Sequence, residues 1–168
     1  MGVSGLLLLF PFLLLRFGLL GRLGRDIPPM GGRERLAYWV YQLSSAGVLV
    51  CLCAQRAEVD GAWPFWAGLV LYLLGLALCA GAVVSFGRHS PGPFREDGLY
   101  RFSRNPMYVS YFVYFAGCVL LTRSRLLAAL VLLFQLSEHW IILAEERWCR
   151  EQFGAPYEAY RKRVRRYL

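Results

Sequence analysis

The hydrophobic residues of this chain fall in five long blocks that are separated by short polar segments. Within a block, apolar residues neither recur at the spacing of one helix face nor alternate with polar residues, which argues against soluble amphipathic helices and half-buried strands. Continuous apolar blocks are typical of helices that cross a bilayer. The predicted helices are residues 3–20, 36–54, 63–85, 106–121 and 126–144.

Most of these blocks reach the length that ~30 Å of hydrocarbon requires at the rise of an α-helix. The fourth block falls just short, and the turn after it, Thr122 to Arg125, is so tight that the fourth and fifth helices must run antiparallel. We therefore predict an all-α, polytopic membrane bundle of about five transmembrane helices. It forms a single domain over residues 1–168, with N-terminal helices in 1–85 and a loop, a helical hairpin and a tail in 86–168.

The basic residues are distributed unevenly between the two sides of these helices. Fifteen lie in the loops and tail of one side, whereas only Arg56, Arg123 and Arg125 lie on the other. The positive-inside rule places the N-terminus outside and the tail in the cytoplasm. This asymmetry and attraction to anionic membrane lipids account for the net charge of +8, so no nucleic-acid partner is expected. Arginine supplies 18 of the 19 basic residues, which hints at a GC-rich bacterial genome and hence a bacterial inner membrane.

The spacing of the cysteine, histidine and glycine residues argues against several other kinds of site. The five cysteines contain no CxxC pair and lie mostly inside apolar blocks, and His89 and His139 are far apart. We therefore expect no disulfide and no metal site. No GxGxxG motif follows a predicted strand, which excludes a soluble dinucleotide-type methyltransferase fold.

Two polar clusters flank the helical hairpin, within residues 98–108 and 145–163. Because an antiparallel hairpin returns to the face where it began, we expect these clusters to meet at one membrane face. The Gly- and Pro-rich residues 87–93 cannot form helix and are predicted to be a cytoplasmic loop. Beyond a stop near Gly154, a short helix from about Pro156 has tyrosines on one side and basic residues on the other. This helix is either part of a site or a lipid-surface anchor.

The fifth helix carries polar groups that are unfavourable inside a bilayer. At 3.6 residues per turn, Gln135, His139 and Glu146 share a stripe, and Glu138 and Glu145 lie beside it. For Glu138 and His139 the simplest interpretation is a hydrogen-bonded pair between helices. Glu145 and Glu146 lie at the membrane boundary among arginines, which favours a functional site.

An ordered set of residues in the last seventy positions resembles the isoprenylcysteine carboxyl methyltransferase and phospholipid methyltransferase superfamily. The set comprises GLYRFSRNPMY at 98–108, the apolar hairpin, His139, Glu145-Glu146-Arg147, Phe153-Gly154, Tyr157, Tyr160 and Arg163-Val164. The resemblance implies methyl transfer from S-adenosylmethionine, in a pocket formed by the hairpin and the cytoplasmic tail. The family often has His where this chain has Asn105, which removes a titrating base but leaves a hydrogen-bonding amide.

The resemblance also implies roles for individual residues. Glu145 and Glu146 would hold the cofactor, aromatic residues would close over it, and Arg104 and Arg163 would bind an anionic acceptor or the cofactor carboxylate. The predicted catalytic residues are Arg104, Glu146 and Arg163. The predicted cofactor-binding residues are Tyr100, Asn105, Pro106, Tyr108, His139, Glu145, Glu146, Phe153, Tyr157 and Tyr160. Tyr108 could equally be an aromatic residue of the membrane interface.

The acceptor is expected to be an amphiphilic molecule that enters from the lipid. An isoprenylcysteine carboxylate, a phosphatidylethanolamine amine, and a small thiol or lipid phenol all suit a cation-rich opening beside an apolar cleft. Two other functions stay open: an NADPH-dependent membrane sterol-type reductase, and a membrane scaffold without activity.

Overall fold

The computed structural model describes residues 2–20, 31–87 and 94–167, most of which are helical. All five predicted helices are confirmed, and the fifth continues beyond residue 144 as expected. The predicted non-helical stretch 87–93 is wrong at Gly87, which is the last residue of the third helix, and its residues 88–93 lie outside the described residues, as do the basic residues of 21–30. The helices are α1 (Gly5–Leu20), α2 (Gly32–Ala54), α3 (Trp63–Gly87), α4 (Pro106–Thr122) and α5 (Arg125–Arg163).

Within the described residues, three helices are long and apolar enough to cross a membrane, namely α2, α3 and α5. Helices α1 and α4 are apolar but shorter, as the sequence indicated for the fourth block. Large apolar side chains such as Leu43, Val70 and Leu136 are mostly exposed on the outside of the bundle. Such a surface suits lipid and not water, and the protein is a helical membrane protein.

A short antiparallel ladder departs from the predicted all-α architecture. Strand β1 (Gly2–Ser4) pairs with β2 (Arg56–Glu58), and the amide of Gly5 continues the contact by donating to the carbonyl of Gln55 at 3.0 Å. The ladder gives partners to backbone groups that precede α1 and follow α2, which explains why these residues are extended. It also joins the start of α1 to the α2–α3 connection.

Glycines allow α3 and α4 to approach closely. A Cβ atom on Gly75 would lie 2.4 Å from the amide nitrogen of Tyr114, and one on Gly117 would lie 2.4 Å from that of Tyr72. Residue types along the sequence do not by themselves identify these two positions. A Cβ atom on Gly81 of α3 would lie 3.1 Å from the side chain of Leu99, in the loop after α3. Close packing of small residues is the usual means of helix association in membranes.

The core centres on Phe12 of α1, whose ring stacks on that of Tyr114 with centroids 4.6 Å apart. The hydroxyls of Tyr72 and Tyr114 both donate to the carbonyl of Leu8, at 3.0 and 2.8 Å. These bonds join α1 to α3 and α4 one turn before Pro11. The ring of Pro11 interrupts the regular backbone hydrogen bonding of α1.

Ion pairs mark the two ends of the bundle. At one end Arg123, in the turn between α4 and α5, pairs with Glu58 and Asp60 beside β2. At the other end Arg147 of α5 pairs with Glu34 at the start of α2. This second end also carries the residue 94–105 loop and the end of α5, so the two polar clusters share one face as predicted.

Helix α5 bends at Gly154, whose φ of 55° and ψ of −130° are accessible chiefly to glycine. Pro156 follows, where a fixed φ suits the first turn of a new helical segment. The predicted stop near Gly154 and restart near Pro156 are confirmed. We call residues 155–167 the terminal segment.

Candidate functional site

The residue 94–105 loop is fixed to the end of α3 by Ser85. The Ser85 hydroxyl donates to the carbonyl of Gly81 at 2.7 Å and accepts from the amide of Leu99 at 3.2 Å. Gly98 lies so close that a Cβ atom would be 2.3 Å from the Ser85 oxygen, and its φ is 58°. A 3-10 turn, Gly98–Arg101, then directs the chain into α4, which begins at the buried Pro106.

The terminal segment returns to this loop and pairs with it. The amide of Arg104 donates to the carbonyl of Arg165 at 2.9 Å, and the side-chain amide of Asn105 donates to the carbonyl of Arg166 at 3.1 Å. The hydroxyl of Tyr160 donates to the carbonyl of Tyr100 at 2.7 Å. The loop before α4 and the segment beyond the bend of α5 therefore form one unit.

Glu146 is the buried centre of this unit, with only 4% of its surface exposed. Arg104 pairs with one carboxylate oxygen at 3.2 Å, and Arg166 donates to both oxygens at 3.0 and 2.9 Å. The bonds to Glu146 raise the pKa of Arg166, which keeps its guanidinium charged. The Nε and Nη1 atoms of Arg104 are buried and make no hydrogen bond within the described residues. They could donate to a further anionic group.

Glu145 accepts a hydrogen bond from the hydroxyl of Tyr108 at 3.0 Å. This bond joins α4 to α5 beside Glu146. The two adjacent carboxylates are thus held by different groups, Glu145 by a phenol and Glu146 by guanidinium ions.

An aromatic cluster covers the outer side of this centre. Phe94 contacts Phe153, Tyr157 and Tyr160, with ring centroids 5.3 to 5.5 Å apart. Burial is the main reason that the pKa of Tyr157 rises to about 12. Burial also raises the pKa of Tyr100 and Tyr160, so these phenols stay neutral and supply ring surface and donors.

His139 and Glu138 do not form the interhelical pair that the sequence suggested. The Nδ1 atom of His139 lies 2.6 Å from the hydroxyl of Tyr167, in the terminal segment. Glu138 instead accepts a hydrogen bond from Gln135 on its own helix. The physical reason is that the terminal segment passes over His139, while Glu138 points into the bundle and is fully buried.

Arg163 forms its ion pair with an acid other than Glu146. Its guanidinium pairs with Glu96 at 3.0 Å, and both side chains are largely exposed. These two residues line an open cleft of about 190 Å³ together with Arg101, Tyr160 and Val164. Arg163 therefore lies in this outer cleft. The other predicted site residues lie at the two carboxylates, in the aromatic cluster or in the backbone around them.

The contact of Arg166 with both oxygens of Glu146 was not predicted from the sequence. The only signal was the place of Arg166 in the basic run 161–166, where nothing distinguishes one arginine from another. The contacts of Phe94 and Ser85 were not predicted either, because both residues lie in segments that had no assigned role. No group of three or more potential metal ligands occurs in the described part of the chain, and His89 lies outside it.

This arrangement can bind a ligand that carries both charges and an aromatic ring. Carboxylates can accept from ammonium and hydroxyl groups, the open donors of Arg104 can bind a carboxylate, and the aromatic cluster can cover a planar ring. These are the groups that S-adenosylmethionine presents. The residues present therefore fit the cofactor that the resemblance implies.

Comparison with known proteins gives two matches. The sequence model of the family described as phospholipid methyltransferase matches residues 63–156, more than half of the chain. A protein-S-isoprenylcysteine O-methyltransferase of Schizosaccharomyces pombe is 39% identical over 157 aligned positions, which cover 76% of this chain. The match spans only 65% of that relative's length. No solved structure matches the chain significantly. The family match includes α3, the loop, the hairpin and both adjacent carboxylates, and the chain belongs to the phospholipid methyltransferase family.

Proposed function

We propose that this protein transfers a methyl group from S-adenosylmethionine to an amphiphilic acceptor held at the membrane surface. The observation that carries the proposal is the meeting of Glu145 and Glu146 with Arg104, Tyr108 and the terminal segment at one end of the bundle. Family membership and the relative's name support the reaction class. The positive-inside rule is the reason for placing this end in the cytoplasm. The excess of arginine over lysine is the reason for proposing a bacterial inner membrane.

The cofactor supplies a methyl group activated by attachment to a positively charged sulfur. Glu146 and Glu145 would accept from its ammonium and ribose hydroxyls, and the open donors of Arg104 would bind its carboxylate. Phe153, Tyr157 and Tyr160 would cover the adenine, with Tyr100, Asn105 and Pro106 shaping the loop beneath. His139 would act through its contact with Tyr167, which holds the terminal segment in place.

Methyl transfer from a sulfonium is an in-line displacement, so the protein mainly has to align the acceptor and exclude water. The buried surroundings of Glu146 and the aromatic cluster serve both needs. Arg163, with Arg101 in the outer cleft, would attract an anionic group of the acceptor. The candidate acceptors are the carboxylate of a prenylated cysteine and the head group of a phospholipid.

The proposal is tested with the full chain in lipid nanodiscs and S-adenosylmethionine labelled at the methyl group. N-acetyl-S-farnesylcysteine and phosphatidylethanolamine are offered as acceptors. We expect label in one of them, and we expect Arg163→Ala to raise the KM for the acceptor more than it lowers kcat. A folded protein that labels neither acceptor and does not bind the cofactor would overturn the proposal. Binding of NADPH instead would indicate a reductase.

A further inference from the structure

Arg166 covers a buried acid of the site while its own side chain stays partly open to solvent. Its guanidinium donates to both oxygens of Glu146, from Nε at 3.0 Å and from Nη2 at 2.9 Å. The Arg166 side chain is 33% exposed, whereas that of Glu146 is only 6% exposed. Arg166 therefore closes a buried carboxylate from the solvent side.

The two arginines that contact Glu146 differ in how they are held. Arg104 pairs with one oxygen at 3.2 Å, and its side chain is only 8% exposed. A guanidinium that leaves a carboxylate needs water in its place, because an unpaired charge is costly in buried surroundings. Arg166 can withdraw its side chain into water and Arg104 cannot. Arg104 is thus the fixed partner of the carboxylate, and Arg166 is the partner that can leave.

The backbone of Arg166 is anchored separately from its side chain. The Ser103 hydroxyl and the side-chain amide of Asn105 both donate to the Arg166 carbonyl, at 3.3 and 3.1 Å. The guanidinium can therefore leave Glu146 by a change of side-chain rotamer, while these bonds keep the residue beside the site. Removal of the contact does not require the terminal segment to leave the loop.

A guanidinium and an ammonium compete for the same carboxylate. Both are cations that present N–H donors, and a carboxylate accepts through its two oxygens. Arg166 uses both oxygens of Glu146, and Arg104 shares one of them. An ammonium group added to this arrangement would find both oxygens in use. It would also be repelled by two neighbouring cations.

We propose that Arg166 is an autoinhibitory residue, whose guanidinium takes the place of the methyl donor's ammonium on Glu146 and has to leave before the donor can bind. The contact keeps a buried charge paired when no donor is present. It also lowers the apparent affinity for the donor to the fraction of molecules in which Arg166 has left. The inference rests on the proposed function for the identity of the ligand, but the closure of Glu146 can be measured without cofactor.

The first measurement is isothermal titration of S-adenosylmethionine into the full chain in nanodiscs. Loss of an arginine that helped to hold the cofactor would weaken binding, whereas loss of a competitor strengthens it. We expect Arg166→Met to bind at least tenfold more tightly than the wild type. Arg165→Met is the matched control, because it removes the same charge from an exposed neighbouring side chain. Its affinity should stay near that of the wild type.

The second measurement needs no cofactor. A water-soluble carbodiimide with glycine ethyl ester converts accessible carboxyl groups to amides, and peptide mass spectrometry gives the extent of labelling at Glu146. We expect a clear rise in Arg166→Met and none in Arg165→Met. If Arg166→Met does not fold, Arg166→Lys replaces it in both measurements, since a lysine ammonium cannot hold both oxygens in a planar fork.

The outcomes separate this inference from the proposed function. If the wild type binds the cofactor and Arg166→Met binds it no more tightly, only the inference is overturned. Equal tightening in Arg165→Met would also overturn it, because net charge alone would then explain the effect. Folded proteins that bind no cofactor would overturn the proposed function, and labelling then decides. Unchanged labelling of Glu146 in Arg166→Met would overturn the inference too, whereas increased labelling would support closure by Arg166.

Discussion

Arg166 holds both carboxylate oxygens of Glu146, with its Nε at 3.0 Å and its Nη2 at 2.9 Å. The contact joins the terminal segment to α5 across the bend at Gly154. It also places a cation against the Glu146 carboxylate, which we propose binds the cofactor. Binding of the cofactor's ammonium at Glu146 would therefore require Arg166 to share or release that carboxylate.

The first prediction concerns the contact between Arg166 and Glu146. Arg166→Met should loosen the terminal segment, because hydrogen bonds to charged groups contribute about 1.5 to 3 kcal/mol. Exchange of the Arg104 amide, which bonds the Arg165 carbonyl, should then be about tenfold faster or more by hydrogen-exchange mass spectrometry. Arg161→Met is the control, since Arg161 pairs with Glu158 one turn away. Equal exchange in the two variants would show that Arg166 does not hold the segment.

The second prediction concerns the buried pair of Glu146 and Arg104. Glu146→Leu should destabilise the protein by about 3 to 5 kcal/mol, because Arg104 keeps a buried charge without a partner. Adding Arg104→Met should recover much of that loss, since an apolar pair of similar volume removes the uncompensated charge. Thermal unfolding in detergent measures both. Arg163→Ala, which breaks an exposed pair, should cost less than about 1 kcal/mol. A double variant no more stable than the single one would contradict this.

The third prediction compares a tyrosine of the site, Tyr108, with a tyrosine of the core, Tyr114. Tyr108→Phe and Tyr114→Phe each remove one hydroxyl bond, to Glu145 and to the Leu8 carbonyl respectively. Each should lower the free energy of unfolding by about 1 kcal/mol. Only Tyr108→Phe should weaken S-adenosylmethionine binding in a calorimetric titration. Equal affinities in the two variants would remove Tyr108 from the site.

The fourth prediction concerns pH at the opposite end of the bundle. The amide of Ala62 and then the Arg123 guanidinium hold the pKa of Asp60 below its ordinary value of 3.8. Because the folded pKa is below the unfolded one, Asp60 stabilises the fold fully above about pH 4. That contribution is lost as the pH falls through the folded pKa.

The thermal midpoint of Asp60→Asn should therefore lie below that of the wild type at pH 6, and the gap should narrow below pH 4. Asp97→Asn is the control, because the Asp97 side chain caps no helix. A gap that stays constant down to pH 3 would contradict the assignment.

Much of this architecture could be predicted from the sequence because hydrophobicity and chain connectivity determine it. Continuous apolar blocks gave the helices, and the tight turn at Arg123 and Ser124 forced the hairpin that brings the polar clusters to one face. Gly154 and Pro156 predicted the bend because their backbone preferences are local.

The remaining features depend on how distant elements pack. The close approach of Gly75 and Gly117 depends on how α3 crosses α4, which residue types alone do not specify. Similarly, Arg166 reaches Glu146 only because the chain extends past the end of α5 and pairs with Ser103. The contact of His139 with Tyr167 depends on the same path.

The central claim is that the carboxylates between the loop and the terminal segment bind the methyl donor. Isothermal titration of S-adenosylmethionine into the full chain in nanodiscs, compared with a folded Glu146→Gln variant, tests it most directly. We predict saturable binding to the wild type and binding at least tenfold weaker to the variant. An equal affinity in both proteins, or no saturable binding to the folded wild type, would contradict the claim.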